Sequence, residues 1–248
     1  MTLFVTRLLK SMLHRMNTND VSDVSVLTPC IEVSRLSKSY GSRYGLRNAD
    51  LMVAEHELLC LMGPNGAGKS TLIRILATLA RPSSGEAKIL GCDVLKQQLH
   101  VRRLIGVVLH HSLLYDELSG KENLSFYVRL YGHRDRDRVH EAITEKAALF
   151  GVEDRLEDQV GTLSSGLRKR LDIVRSIIHS PRLLLLDEPF TSLDPEGVEH
   201  LEKYLKQTKD SCTVLFSTHS LEIAEKISDR IATLKDGRIA EMRLAKGY

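Results

Sequence analysis

From Ile31 onward, short unbroken aliphatic runs alternate with stretches whose apolar residues recur every three to four positions. The runs lie within "IEVSRLS" (31–37), "HELLCLMG" (56–63), "LIGVVL" (104–109), "RLLLLDEP" (182–189), "CTVLFSTH" (212–219) and "RIATLKDG" (230–237). Such runs suit strands buried on both faces of a parallel sheet. Helical spacing appears in "STLIRILATLA" (70–80), and in 167–178, where Leu167, Leu171, Val174, Ile177 and Ile178 share one face ahead of Pro181. Strand–helix alternation predicts a three-layer α/β domain. Between 112 and 160 the pattern is mostly helical and strongly charged. With the helix that follows, it predicts a helical lobe inserted at about 112–180. The alternating charges of 134–138 within it read as a solvated face.

The first thirty residues differ. In "TLFVTRLLKSMLHRM", Leu3, Phe4, Leu8, Leu9, Met12, Leu13 and Met16 keep helical spacing, basic residues fill the gaps, and no acid precedes Asp20. A basic amphipathic helix of this kind lies on a membrane surface or a partner, acts as a targeting segment, or is a loose extension. "NTNDVSDVSVLTP" (17–29) then reads as a linker. The division expected is an extension over 1–30 and one domain over 31–248.

Length and charge narrow the class. The chain has 248 residues, enough for one well-buried domain, and a net charge of +3. That charge is spread along the chain and makes no case for nucleic acid. Cys30, Cys60, Cys92 and Cys212 are far apart and read as reduced, mostly buried thiols. No apolar run approaches the roughly 20 residues of a membrane span, so a soluble chain is expected.

The strand "LLCLM" runs into "GPNGAGKST", Gly63, Pro64, Asn65, Gly66, Ala67, Gly68, Lys69, Ser70 and Thr71, and then into a helical run. Gly63, Gly68, Lys69 and Ser70 keep the spacing of a phosphate loop in its strand–loop–helix setting. Glycines let successive N–H groups turn toward phosphate oxygens, and the helix N-terminus adds its positive end. Lys69 supplies a charge to the outer phosphates, and the Ser70 hydroxyl is placed for Mg²⁺. The competing reading is a glycine-rich turn that binds nothing. The second aliphatic strand, "RLLLLDEP", delivers Asp187 and Glu188 at its C-terminal edge, where nucleotides bind in open α/β sheets. Asp187 is the candidate Mg²⁺ partner, through water, and Glu188 the candidate to activate an attacking water.

Taken together, these motifs resemble the nucleotide-binding subunit of an ATP-binding cassette (ABC) transporter from about residue 31 to the C-terminus. "GTLSSGLRKRLDIVRSIIHSPRLLLLDEP" is similar to that family's signature loop, helix and acidic strand. "SLD" (192–194) resembles its loop that meets the opposite subunit. His219 in "STHS" stands at the γ-phosphate switch position, and Tyr40 in "LSKSYG" where a ring stacks on adenine. The resemblance implies a P-loop NTPase core with a mainly parallel sheet, an antiparallel β part near the N-terminus, and an inserted helical lobe. It implies an ATPase working as a dimer, homomeric or with a second ATPase subunit. Ser164, Gly166 and Asp194 of one copy would then complete the partner's ATP site. It further implies a peripheral place on the cytoplasmic face of the membrane and a separate integral membrane subunit docking near Leu113 to Glu122.

Two departures from the family pattern stand out. His110 in "IGVVLHHSLLYDELSGKENL" falls where the family has a glutamine that senses Mg²⁺ and the attacking water. A neutral imidazole can accept or donate in its place. The competing readings are two loop histidines without a role, His110 as general base, and a zinc site. Zinc would need two more ligands, and His100 and His133 are the nearest. In "LSSGL", Ser165 and Leu167 replace a glycine and a glutamine while Gly166 is kept. The "HH" loop and "EPFTSLD" resemble haem-exporter ATPases of cytochrome c maturation, and drug and antibiotic exporter ATPases look similar. Outside transport, a soluble ABC ATPase or a regulatory ATP-binding subunit remains open.

Overall fold

The computed structural model describes residues 29–132 and 135–246. The amphipathic extension, most of the linker, His133 and Arg134 lie outside the described residues. β1 opens at Pro29, and Cys30 is fully buried.

A six-stranded sheet carries the fold, in the order β10–β9–β3–β8–β7–β6. Its strands are β3 (Leu58–Met62), β6 (Ile105–Val108), β7 (Leu183–Leu186), β8 (Thr213–Ser217), β9 (Arg230–Lys235) and β10 (Arg238–Leu244). β9, β3, β8, β7 and β6 run parallel, and β10 closes one edge antiparallel. Five of these strands are the aliphatic runs of the sequence. Both faces of the sheet are covered, and alternation divides each strand between them. Leu59, Leu61, Leu183, Leu185 and Leu215 join one core, while Leu58, Cys60, Leu184, Leu186, Val214 and Phe216 join the other.

On the first face lie helix α1 (Lys69–Leu76) and an antiparallel sheet ordered β2–β1–β4–β5. That sheet comprises β1 (Pro29–Tyr40), β2 (Arg43–Ala54), β4 (Ser84–Ile89) and β5 (Cys92–Asp93). β2, β4, β5 and β10 interleave polar residues and make no aliphatic run, so the pattern did not mark them. The short helix α2 (Gln98–Leu104) leads into β6.

The second face takes the remaining helices: α3 (Gly120–Leu130), α4 (Arg136–Ala148), α5 (Ser165–Ile177), α6 (Pro195–Gln207) and α7 (Leu221–Ile227). α3 starts on a reciprocal cap in which Ser119 and Glu122 satisfy each other's backbone N–H. The expected lobe is here, but it shares its core with the sheet. Leu124, Val128, Ile143 and Phe150 belong to the same buried cluster as Leu184 and Phe216, and α5 packs on β6 as well as on α3. Asn123, fully buried, accepts Tyr115 N–H at 2.8 Å and donates to the carbonyls of Tyr115 and Ser119, each at 3.0 Å. The link from β6 to α3 is therefore pinned by one side chain. Among the described residues no helix is long and apolar enough to cross a membrane.

Candidate functional site

Four adjacent parallel strands, β3, β8, β7 and β6, end at the same edge of the sheet, so their following residues converge. β3 delivers Gly63 to Thr71, β8 delivers His219, β7 delivers Asp187 and Glu188, and β6 delivers His110. Asn65, Lys69, Ser70, His110, Asp187, Glu188 and His219 all line one cavity of about 370 Å³ there.

The loop has the backbone its glycines permit. Gly63, Gly66 and Gly68 take φ of 142°, 80° and 112°. A Cβ on Gly63 would stand 2.2 Å from Leu234 O, and one on Gly68 2.3 Å from Gly45 O. Gly68 is the N-cap of α1 and offers no side chain, so the first-turn N–H groups have neither a cap nor an intrahelical partner. They form an anion site at a helix N-terminus. Lys69, only 6% exposed, donates to Gly63 O at 2.6 Å and to Pro64 O at 3.3 Å. Its Nζ stands 3.9 Å from Glu188 Oε1.

Asp187 is 3% exposed. Ser217 Oγ, at the end of β8, donates to Asp187 Oδ1 at 2.9 Å and accepts Glu188 N–H at 2.9 Å. This single hydroxyl sets both acids, and it holds Glu188 at φ 49°, a left-handed conformation costly for a residue with a side chain. His219 Nε2 lies 2.9 Å from Glu188 Oε1, while half of the His219 side chain faces solvent. The arrangement joins phosphate-binding donors, hard oxygen ligands and a carboxylate–imidazole pair in one cleft.

His110 lines this cavity and a second one of about 370 Å³ beside it. Glu188 and Thr191 also face both. His111 lines only the second, where Lys169 and the fully buried Asp172 lie. Burial lowers the Lys169 ammonium, against the opposing pull of Asp172, Asp187 and Glu188. The rings of His110 and His111 meet edge to face at 5.1 Å. Among the described residues no three His, Cys, Asp or Glu side chains form a metal cluster.

Tyr40 sits at the end of β1, half exposed, with Lys38 Nζ 5.0 Å from its ring centroid. A Cβ on Gly45 would fall 2.9 Å from Thr71 Oγ1 and 3.1 Å from Tyr40 Cε2, so the ring stands beside the end of the phosphate loop. Ser164, Gly166 and Asp194 are held elsewhere and do not line the cavity. Ser164 caps α5, accepting Leu167 N–H at 3.3 Å. Asp194 caps α6 and pairs with Arg170, whose Nε donates to it at 3.0 Å. The Arg170 hydrogen bond is the first cause holding the Asp194 carboxyl below the usual range.

Residues 46–191 match the ABC transporter family. The chain belongs to that family. It is 40% identical to the daunorubicin/doxorubicin resistance ATP-binding protein of Streptomyces peucetius over 216 residues, covering 86% of this chain and 64% of that protein. It is 38% identical to a daunorubicin resistance ATP-binding protein of Streptomyces coeruleorubidus over 210 residues, covering 84% and 66%. The chain thus spans about two thirds of the length of these curated relatives. A dimeric ATP-binding cassette solved in a post-hydrolysis state with ADP and phosphate superposes with a TM-score of 0.82 at 27% identity, over 88% of this chain and 100% of that one. As an ABC cassette, the chain has the P-loop fold expected from its motifs.

Sequence reasoning missed Ser217, Arg170 and Thr191. Ser217 stands two residues before His219 at the end of an aliphatic run, and that position was the available signal. Arg170 is 2% exposed and bonds to Asp194, Glu196 and Phe150 O. Nothing local in "LRKRLD" separates it from Arg168, which pairs with Asp116 at the surface.

Proposed function

We propose that this chain is the ATP-binding and ATP-hydrolysing subunit of an exporter, energising a separate membrane-embedded subunit from the cytoplasmic face. The carrying observation is the single cavity in which the phosphate loop, Asp187, Glu188 and His219 meet.

In this reading the N–H groups of 66–71 cradle the phosphates, and Lys69 leaves the Gly63 and Pro64 carbonyls for the outer phosphate. Tyr40 stacks on the adenine. Ser70 and Asp187 offer hard oxygens that fit Mg²⁺ and would hold it, Asp187 through water. The ion supplies neutralisation of charge on the phosphates. Glu188 takes a proton from the attacking water as its oxygen bonds to the γ-phosphorus and the bond to ADP breaks. His219 orients Glu188 and reaches the γ-phosphate, and Ser217 keeps Glu188 in register with Asp187. No residue of the signature turn covers this cleft in one chain. Ser164, Gly166 and Asp194 of a second copy are assigned that part, in line with the dimeric state of the structural relative.

The membrane subunit is assigned to the lobe. A groove of about 880 Å³ between α3 and α4 is lined by the half-exposed Phe126 and the exposed Leu130. Leu113 and Tyr115 add exposed apolar surface before α3. The domain reading is an extension over 1–30 and one cassette over 31–248, with the helical lobe at about 112–180. For cargo, the drug and antibiotic exporter branch is favoured over haem export, because both relatives above are named for daunorubicin resistance. Purification of the chain from detergent-solubilised membranes tests the assignment. A multi-span membrane protein should come with it and raise its ATPase activity. Recovery of the chain alone, or with ribosomes or DNA, would remove the transport claim and leave the ATP site.

A further inference from the structure

β6 is the last strand of the six-stranded sheet and has a neighbour, β7, on one side only. Toward β7, Leu104 O and Val108 O accept the N–H groups of Arg182 and Asp187 at 2.9 and 2.8 Å. The alternate carbonyls of Ile105, Val107 and Leu109 face the open edge, where backbone acceptors ordinarily go unpaired. Here all three have side-chain partners. His179 Nε2 lies 3.0 Å from Ile105 O, Arg175 Nη2 donates to Val107 O, and Lys169 Nζ donates to Leu109 O at 3.3 Å. Lys169 and Arg175 belong to α5 and His179 follows its end, so this helix stands in for the absent strand. Arg175 is also tied to Asp172 Oδ1 at 2.7 Å and lies over the Tyr127 ring, and His179 stacks on Tyr131. Lys169 is different. Among the described residues its one hydrogen bond is to Leu109 O, while Asp172 Oδ2, one turn along α5, stays buried without a partner. An unmet buried acceptor calls for a reason, and here the nearby ammonium is committed to Leu109.

We propose that Lys169 is a positioning residue for ATP hydrolysis, fixing Leu109 at the point where the chain leaves the sheet beside Asp187. The inference rests on the reading of the cavity around Asp187 and Glu188 as the ATP site. Val108 O holds Asp187 N–H, so a shift at Leu109 reaches the two acids through one peptide unit. Lys169 also lines the second cavity together with Glu188 and Thr191, and no residue of the phosphate loop lines that cavity. The phosphate-binding N–H groups are carried by β3 and α1 instead, so the Lys169 bond bears on turnover and not on affinity. A misplacement of about 1 Å is enough to cost about 10²-fold in rate.

The test is Lys169→Met and Lys169→Arg in the full chain, with ATP turnover measured beside equilibrium binding of the β,γ-imido analogue of ATP. Lys169→Met removes the donor and should lower kcat by about 10–10²-fold while affinity for the analogue stays within about twofold. Lys169→Arg keeps a donor of similar reach and should recover most of that loss. Lys169→Gln, too short to span to Leu109 O, should behave as Lys169→Met and replaces it should that variant not fold. Wild-type kcat in Lys169→Met overturns the proposal and leaves the ATP site standing. So does a loss of kcat and affinity together, or a loss that Lys169→Arg does not recover. A wild type that binds no nucleotide, or hydrolyses none, overturns the reading of the cavity as well.

Discussion

Ser217 Oγ stands between two acids, donating to Asp187 Oδ1 and accepting from Glu188 N–H, each at 2.9 Å. Both partners are presented by β7 while Ser217 ends β8, so this hydroxyl fixes the registration of the site across two strands. Ser217→Ala leaves a buried acceptor and a backbone donor unmet, a cost of about 1–3 kcal/mol. Urea unfolding should show that loss, and ATPase turnover should fall further than binding of ATP. A variant with wild-type midpoint and turnover would show that the bridge does nothing.

Arg170 joins three pieces of chain: the helix after the signature turn, the loop at Asp194, and Phe150 O beneath the lobe. Arg170→Met keeps an unbranched apolar stem and removes every bond. Phe150 O and the cap of α6 lose a partner, and stability should drop by about 1–3 kcal/mol. Chemical denaturation of the two proteins side by side measures it, and an unchanged midpoint would count against the linkage.

The Asp194 carboxyl is held below its ordinary value, first by the Arg170 hydrogen bond and then by the Gly197 N–H. A lowered folded pKa gives stability that is present above the unfolded value of about 3.9 and lost as pH falls through the folded one. Acid unfolding below about pH 4 should therefore be shallower in Asp194→Asn than in the wild type. Equal slopes would remove Asp194 from the acid response.

Burial pushes the thiols of Cys30 and Cys212 up, to about 11 and about 12, and that of Cys60 higher still. Cys92 is the half-buried one of the four. Iodoacetamide at pH 8 should add one label to the native chain, at Cys92, and four after unfolding. Intact mass followed by peptide mapping reads both numbers, and native labelling at Cys60 would contradict the packing.

What the sequence made legible was whatever lies in one continuous stretch. Gly63 to Thr71 carries its own backbone requirements, and the four leucines before Asp187 can only be an interior strand. Ser217, Arg170 and Thr191 act through partners 20 or more positions away or through the meeting of two loops, and residue type alone does not announce that. The lobe shows the same limit. Helical periodicity marked α3, α4 and α5, yet which core they share is decided by Leu184 and Phe216 of the sheet. Asp194 was expected to serve a partner's site. In the single chain it is engaged by Arg170.

The most direct measurement compares wild type and Glu188→Gln for ATP turnover and for nucleotide retained after rapid desalting. The account predicts that Glu188→Gln loses about 10²–10⁴-fold in rate, keeps unhydrolysed ATP and shifts toward a dimer. Turnover equal to wild type, or no ATP retained by the variant, would contradict the assignment of Glu188 and the hydrolytic cycle built on it.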